Sequence, residues 1–333
     1  MSHRVPVSIL DLVPIPEGRT AAEGIAASME AARQADELGY RRLWFAEHHN
    51  TPGLAASASA LLIARAASLT ERIRVGAGGV MLPNHSPLMV AEQYGTLANM
   101  FGGRIDLGLG RAPGTDPMTA RALARSAADA QSFARNIADL QGWFGAAGTA
   151  RSAPIFSAVS AGTDVPIWVL GSTVNGASIA GRLGLPFSVA SHFAPEQVMQ
   201  AIEVYRDAFD PKAPTAQIDR PYVMAGINVL VMPTDEEARR QWTTVQQMFL
   251  NIRRGRRGKI PPPVDPDQVA PAFELAFAES ALRFKAVGSP KTAVRALEEF
   301  VARTGVDELI AVTYTYDPAD RMKSFQLLAE HWF

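Results

Sequence analysis

The chain of 333 residues contains no cysteine. Disulfides, thiolate nucleophiles, iron–sulfur clusters and thiolate-bound zinc are therefore excluded, and a reducing compartment is compatible with it. Net charge is nearly absent as well, −1 at pH 7, which removes any global electrostatic attraction to nucleic acid or anionic membranes. The longer uncharged windows are interrupted by Gly, Pro, Asn and His, so none reads as a membrane-spanning helix. The N-terminal MSHRVPVSIL runs straight into a strand pattern, without the regions of a signal peptide. These absences lead to the expectation of a soluble cytoplasmic protein. Missing too are a G-x-G-x-x-G opening a βαβ unit, a Walker A loop and a Gly-x-Ser-x-Gly elbow. Gly108-x-Gly110-x-x-x-Gly114 has the wrong spacing for the first of these. Nothing marks a dedicated dinucleotide pocket.

What is present is apolar residue: 47% hydrophobic against 20% charged supports a large core. Strand and helix patterns alternate almost throughout. Strands are expected at residues 5–10, 42–46, 73–77, 105–109, 166–170, 187–190, 223–231 and 308–313. Helices are expected between them, including a long one over 117–144. Most strands are Val/Ile/Leu-rich runs, as when both sheet faces are covered. Eight βα units argue for a closed (β/α)8 TIM barrel as one domain over residues 1–333. Two segments depart from the repeat. Residues 145–165 read as a loop excursion, and 253–288 as an insertion before the last helix/strand pair. The basic run at 253–259 (RRGRRGK) lacks interleaved aromatics, so a solvated mobile loop is favoured over a nucleic-acid site.

The stretch from residue 73 to 114 carries the most chemistry. It reads strand, Gly-Gly break, Pro-bracketed turn, helix, strand, then Arg-Ala-Pro-Gly, with each special residue just past a strand's carboxyl end. Ligands of parallel α/β proteins bind at that end. Gly78 and Gly79 lack Cβ atoms, so a flat ring can lie on their backbone. Arg111 leaves the next strand at the same height, suited to a phosphate or carboxylate. Gly171, Ser172 and Thr173 open a helix that continues through Asn175 and Gly176, which reads either as a phosphate cradle or as plain N-capping. The alignment with Arg111 favours the cradle. A planar, anionic ligand follows.

Glu47-His48-His49-Asn50 runs off the second strand. Adjacent imidazoles there point to opposite sides. Metal-ligand spacing such as His-Glu-x-x-His is absent, so no metal is expected. A hydrogen-bonded pair closing a loop is one reading. The other is one histidine exchanging protons with Glu47 orienting it. His85 in its Pro-flanked turn reads as structural, whereas His192 at the end of the sixth strand is placed to line the mouth. Leu12, Met81 and Phe193 suggest an apolar pocket.

The chain resembles the bacterial luciferase-like flavin monooxygenases over nearly its whole length. The markers are Ala46–Asn50 (AEHHN), VGAGGVMLP from Val75, GRIDLGLGR ending at Arg111, and Val287-Gly288-Ser289-Pro290. The resemblance implies a (β/α)8 barrel with a late insertion, binding reduced FMN, or F420 in a sister branch, at the carboxyl face. By motif, Gly78–Gly79 falls where the family often has a non-prolyl cis peptide beneath the flavin. Arg111 and Ser172 match phosphate contacts, with Gly171, Thr173 and Gly176 beside them. His48 matches the catalytic histidine and Glu47 its acidic neighbour. The cysteine that precedes the phosphate arginine in some luciferases is Gly110 here, so light emission is not implied. The expectation is an FMN-dependent monooxygenase acting with oxygen on a small apolar substrate, its reduced flavin supplied transiently by a separate reductase. An F420-dependent hydride transferase and a non-catalytic flavin-binding protein are the alternatives. A homodimer through the second and third helices is expected by family analogy.

Overall fold

The computed structural model describes residues 4–112, 115–123 and 132–333. Eight parallel strands close on themselves. They are β1 (Val7–Asp11), β2 (Arg42–Phe45), β3 (Arg74–Met81), β4 (Ile105–Gly110), β5 (Ile167–Gly171), β6 (Phe187–Val189), β7 (Val223–Val231) and, closing against β1, β9 (Glu308–Val312). The ring of pairings closes at β1, which sets Ile9 opposite Leu43 on one side and Val7 opposite Leu309 on the other. The TIM barrel expected from the alternation is thus the fold.

Helices return the chain outside the barrel. They are α1 (Ala21–Glu37), α2 (Ser59–Ser68), α3 (Pro87–Phe101), α4 (Pro117–Ala122), α5 (Phe133–Phe144), α6 (Val174–Arg182), α7 (Val198–Ala208), α8 (Asp235–Arg253), α9 (Ala272–Ala281), α10 (Pro290–Thr304) and α11 (Pro318–Trp332). Sequence signals mark their ends. Thr20 caps α1 in a reciprocal box with Glu23, and Pro stands at the start of α3, α10 and α11. Of the helix expected over 117–144, residues 124–131 lie outside the described residues, as do Pro113 and Gly114.

The sequence reading is corrected at two places. β3 does not stop before Gly78 but continues through the Gly-Gly pair to Met81, with a register shift against β4 between Ala77 and Val80. Within the insertion, Lys285–Gly288 forms a ninth strand, β8, paired only with the carboxyl half of β7 from Asn228 to Val231.

Apolar side chains fill two layers. One packs strands against helices; the other, inside the barrel, contains Leu10, Trp44, Trp168, Met224 and Ile310. At the strands' amino ends the barrel is closed by buried charge. Arg42 donates to Asp106 at 2.6 Å and to Glu308 at 2.9 Å, and Arg74 donates to Asp106 at 2.6 Å. Trp44 Nε1, Tyr222 and Ser8 supply further donors to the two carboxylates. Such a network is costly to leave half-made, because an unpaired charge would remain in low dielectric. It plugs the bottom and leaves the carboxyl face as the open end.

Candidate active site

Two strand ends place Arg111 beside the start of α6. Arg111 follows the last residue of β4, and Gly171 ends β5, which pairs with β4 from Leu107 to Gly110. The Asn175 amide, in the first turn of α6, lies 2.8 Å from Nη1 and 3.0 Å from Nη2 of Arg111, and turning its oxygen toward the guanidinium makes both hydrogen bonds. A fixed cation therefore stands over a helix N-terminus, where backbone N–H groups and the helix dipole already favour an anion. Thr173 is the N-cap and accepts from Gly176 N–H at 3.4 Å. Plain capping by Thr173 thus stands beside the Arg111–Asn175 contact. Ser172 makes no side-chain hydrogen bond among the described residues.

On β3, the peptide between Gly78 and Gly79 is cis, as the family resemblance implied. Gly78 is half-buried at the mouth. A Cβ there would come within 2.7 Å of Leu10 Cδ1 and 3.0 Å of Trp44 Cε3, and one on Gly79 within 2.7 Å of the Gly108 carbonyl oxygen. The site excludes side chains at both positions, leaving bare backbone beside an aromatic floor.

Glu47 is 1% exposed. Its carboxylate accepts from His49 Nε2 at 2.8 Å, from His85 Nε2 at 2.9 and 3.0 Å, and from the Met81 N–H at 3.0 Å. Burial pushes the carboxyl up, but the hydrogen bonds from His85 and His49 and from the Met81 N–H outweigh it, so the group is held below the ordinary range. Strand alternation explains the choice of partner. Residues 47 and 49 fall on one side of the extended chain and His48 on the other. The imidazoles that Glu47 orients are His49 and His85. The second of these was read as structural from its turn, and nothing in the local sequence points it at Glu47; the directing feature is the extension of β3, which carries the turn beside β2.

His48 is half-buried, its backbone N–H bonded to Ala56 O at 2.9 Å and its carbonyl accepting from Ser57 Oγ at 2.9 Å. It lies near enough to His192, beyond β6, to disfavour protonation of that imidazole. The mouth therefore gathers His48, Gly78, Gly79, Arg111 and the start of α6 on adjacent strand ends.

A rim contact joins the insertion to this mouth. Asp116 accepts from Asn50 Nδ2 at 2.8 Å, and Arg257 Nη1 donates to Asn50 O at 3.0 Å and reaches Asp116 Oδ2 at 3.4 Å. Hydrogen bonds from Asn50 and Thr119 hold the Asp116 carboxyl well below the usual range. Lys259 Nζ donates to Arg19 O at 2.6 Å, and Ile260 bridges Pro16. The basic run at 253–259 thus lies across the loops that follow β1, β2 and β4.

Comparison with known proteins agrees with this arrangement. Residues 5–308 match the model of the luciferase-like monooxygenase family. A luciferase-like monooxygenase of Escherichia coli (strain K12) is 41% identical over 97% of this chain and 96% of its own length. The N-acetyl-S-alkylcysteine monooxygenase of Bacillus subtilis (strain 168) is 32% identical over 77% of this chain and 76% of its own. Among solved structures, apo-MsnO8 superposes with a TM-score of 0.85 at 33% identity, covering 98% of both chains. The FMN complex of the oxygenating constituent of 3,6-diketocamphane monooxygenase shares the fold, with a TM-score of 0.73 at 19% identity and 98% coverage of both. The chain belongs to the luciferase-like monooxygenase family and is an oxidoreductase.

Proposed function

We propose that this chain is an FMN-dependent monooxygenase that takes reduced flavin from a separate reductase and, with oxygen, oxidises a small apolar organic molecule. The observation that carries the reading is the contact of Arg111 with Asn175 at the start of α6, a cation fixed over a helix N-terminus beside bare Gly-Gly backbone. Those residues fit a flavin phosphate and ring: Arg111, Ser172, Thr173 and Gly176 would hold the phosphate, with Gly171 below, and Gly78 and Gly79 would face the ring. The bound flavin supplies oxygen activation. His48 accepts or returns a proton at its imidazole during substrate oxidation. Glu47 keeps His49 and His85 in place, and with them the start of the β3–α3 turn. The Arg257 contact with Asn50 and Asp116 holds the insertion across the mouth and limits entry of water. The 41% identity to a protein named as a luciferase-like monooxygenase supports oxygen chemistry over hydride transfer. A homodimer through α2 and α3 belongs to the same proposal.

The test is anaerobic titration of the pure protein with FMN, FMNH2 and F420, followed by admission of oxygen. Binding of FMNH2 and rapid oxygen uptake are expected. Binding of F420 without oxygen uptake would move the chain to hydride transfer, and binding of neither would overturn the flavin reading.

A further inference from the structure

His192 is held in an unusual way for a histidine. Most buried imidazoles are oriented by a hydrogen bond to a ring nitrogen. Here packing and the backbone do it. Gly226 on β7 has no side chain where the ring lies, and a Cβ there would come within 2.2 Å of His192 Nδ1. The ring of Phe193 stands edge-on, with centroids 4.9 Å apart. Asn228 Nδ2 donates to the His192 carbonyl at 2.7 Å, and Ser191 Oγ donates to the Gly226 carbonyl at 2.5 Å. Nδ1 is buried and has no hydrogen-bond partner among the described residues. Burial pushes the imidazole down to about 4, with the charge of His48 adding to the effect, so the ring is neutral at pH 7.

A neutral imidazole carries one N–H. Placing it on Nδ1 would strand a donor against Gly226, and orphaned buried N–H groups are rarer than under-satisfied acceptors. The proton therefore belongs on Nε2, on the ring edge that is not shut in by β7. The barrel interior is apolar, with Leu10, Trp44, Trp168 and Met224 in one buried cluster, and Phe193 beside His192 is exposed.

We propose that His192 is a specificity-determining residue that donates from Nε2 to a hydrogen-bond acceptor on the substrate, selecting apolar molecules that carry a neutral acceptor oxygen over hydrocarbons of the same shape. The inference rests on the reading of the mouth as the substrate site, and not on which flavin binds there. It gives His48 and His192 different tasks: proton exchange for the first, and substrate recognition by a group that stays neutral for the second.

Flavin-free protein labelled with 15N-histidine is titrated with 2-heptanone and with 2-methyl-1-heptene, the same skeleton bearing =CH2 in place of =O. A preference for the ketone of about fivefold is expected, the ratio given by one hydrogen bond of ~1 kcal/mol. The ketone should shift the His192 Nε2 resonance and the alkene should leave it. His192→Phe should bring the two affinities together, and His192→Gln, which keeps a donor near the same place, should restore much of the difference. Equal affinities in the wild type, failure of both probes to bind, or a preference that survives His192→Phe would each overturn the inference. So would weakened FMN binding by His192→Phe with the preference intact, which would assign the residue to the cofactor. If His192→Phe does not fold, the wild-type resonance decides: no ketone-specific shift overturns it. Failure of the wild type to bind FMN bears only on the flavin reading, since the probe ratio is measured without flavin.

Discussion

At the scale of single residues, one turn of an extended chain separates two kinds of work. Glu47 and His49 face one way and His48, the ring proposed to exchange protons, the other, so the buried carboxylate organises His49 and His85. His48→Ala should leave FMN affinity within a few-fold and lower turnover by roughly 10²–10⁴-fold, the usual contribution of a positioned acid or base. Steady-state oxygen uptake beside an FMN titration checks this, and unchanged turnover would remove His48 from the mechanism. Glu47→Gln should destabilise the fold by about 2–3 kcal/mol, because the amide cannot accept from His49, His85 and the Met81 N–H together. The pH dependence has a definite sign. The folded carboxyl sits below its unfolded value of about 4.3, so its stabilisation is complete above that value and is lost as pH falls through the folded one. Melting temperatures of wild type and variant should therefore differ fully above the unfolded value and converge as the pH falls below it and through the lowered folded one. The alternation behind this was legible in the sequence. The arrival of His85 was not, because it depends on where β3 ends.

At the scale of elements, the strand ends are the part that periodicity reads well and the insertion is the part it reads poorly. The β4 and β5 ends, with Arg111 and Gly171 side by side, follow from two apolar runs each closed by a special residue. β8 is four residues long, too short for a period to declare itself, and its partner is the distant second half of β7. The basic run at 253–259 is solvent-exposed, as its composition suggests, and from it Arg257 also meets Asn50 and Asp116. Arg257→Ala should loosen this contact at little cost in stability, within about 1 kcal/mol for an exposed pair. The consequence belongs to function: oxygen uptake with reduced FMN should become less coupled to product, read as hydrogen peroxide released per oxygen consumed. Peroxide release equal to wild type would show that the contact does not shelter the site.

At the scale of the whole molecule, charge closes one end of the barrel and apolar surface marks one flank. Arg42, Asp106 and Glu308 were given no role in sequence, since each lies near the start of a different strand and only closure of the barrel brings them together. The flank is another matter, because its residues are near in sequence. Leu61 on α2 is 73% exposed and Met100 on α3 is 62% exposed, with Met89 exposed on the same helix. The 145–165 excursion packs alongside, Asn99 Nδ2 donating to Val159 O at 2.8 Å, and it adds exposed Phe156. Large exposed apolar side chains on neighbouring segments are where a self-complementary interface forms, and a stable one buries roughly 1,600 Å² in total. If the proposed homodimer forms, the protein should sediment at twice the 35.8 kDa of the chain. Leu61→Glu combined with Met100→Glu should give a folded monomer, since a two-fold axis brings each introduced charge into the interface from both copies. Both positions are solvent-facing in the single chain, so the melting temperature of the monomer reports the barrel alone. A wild type that sediments as a monomer at micromolar concentration, or a double variant that remains a dimer, would place the interface elsewhere.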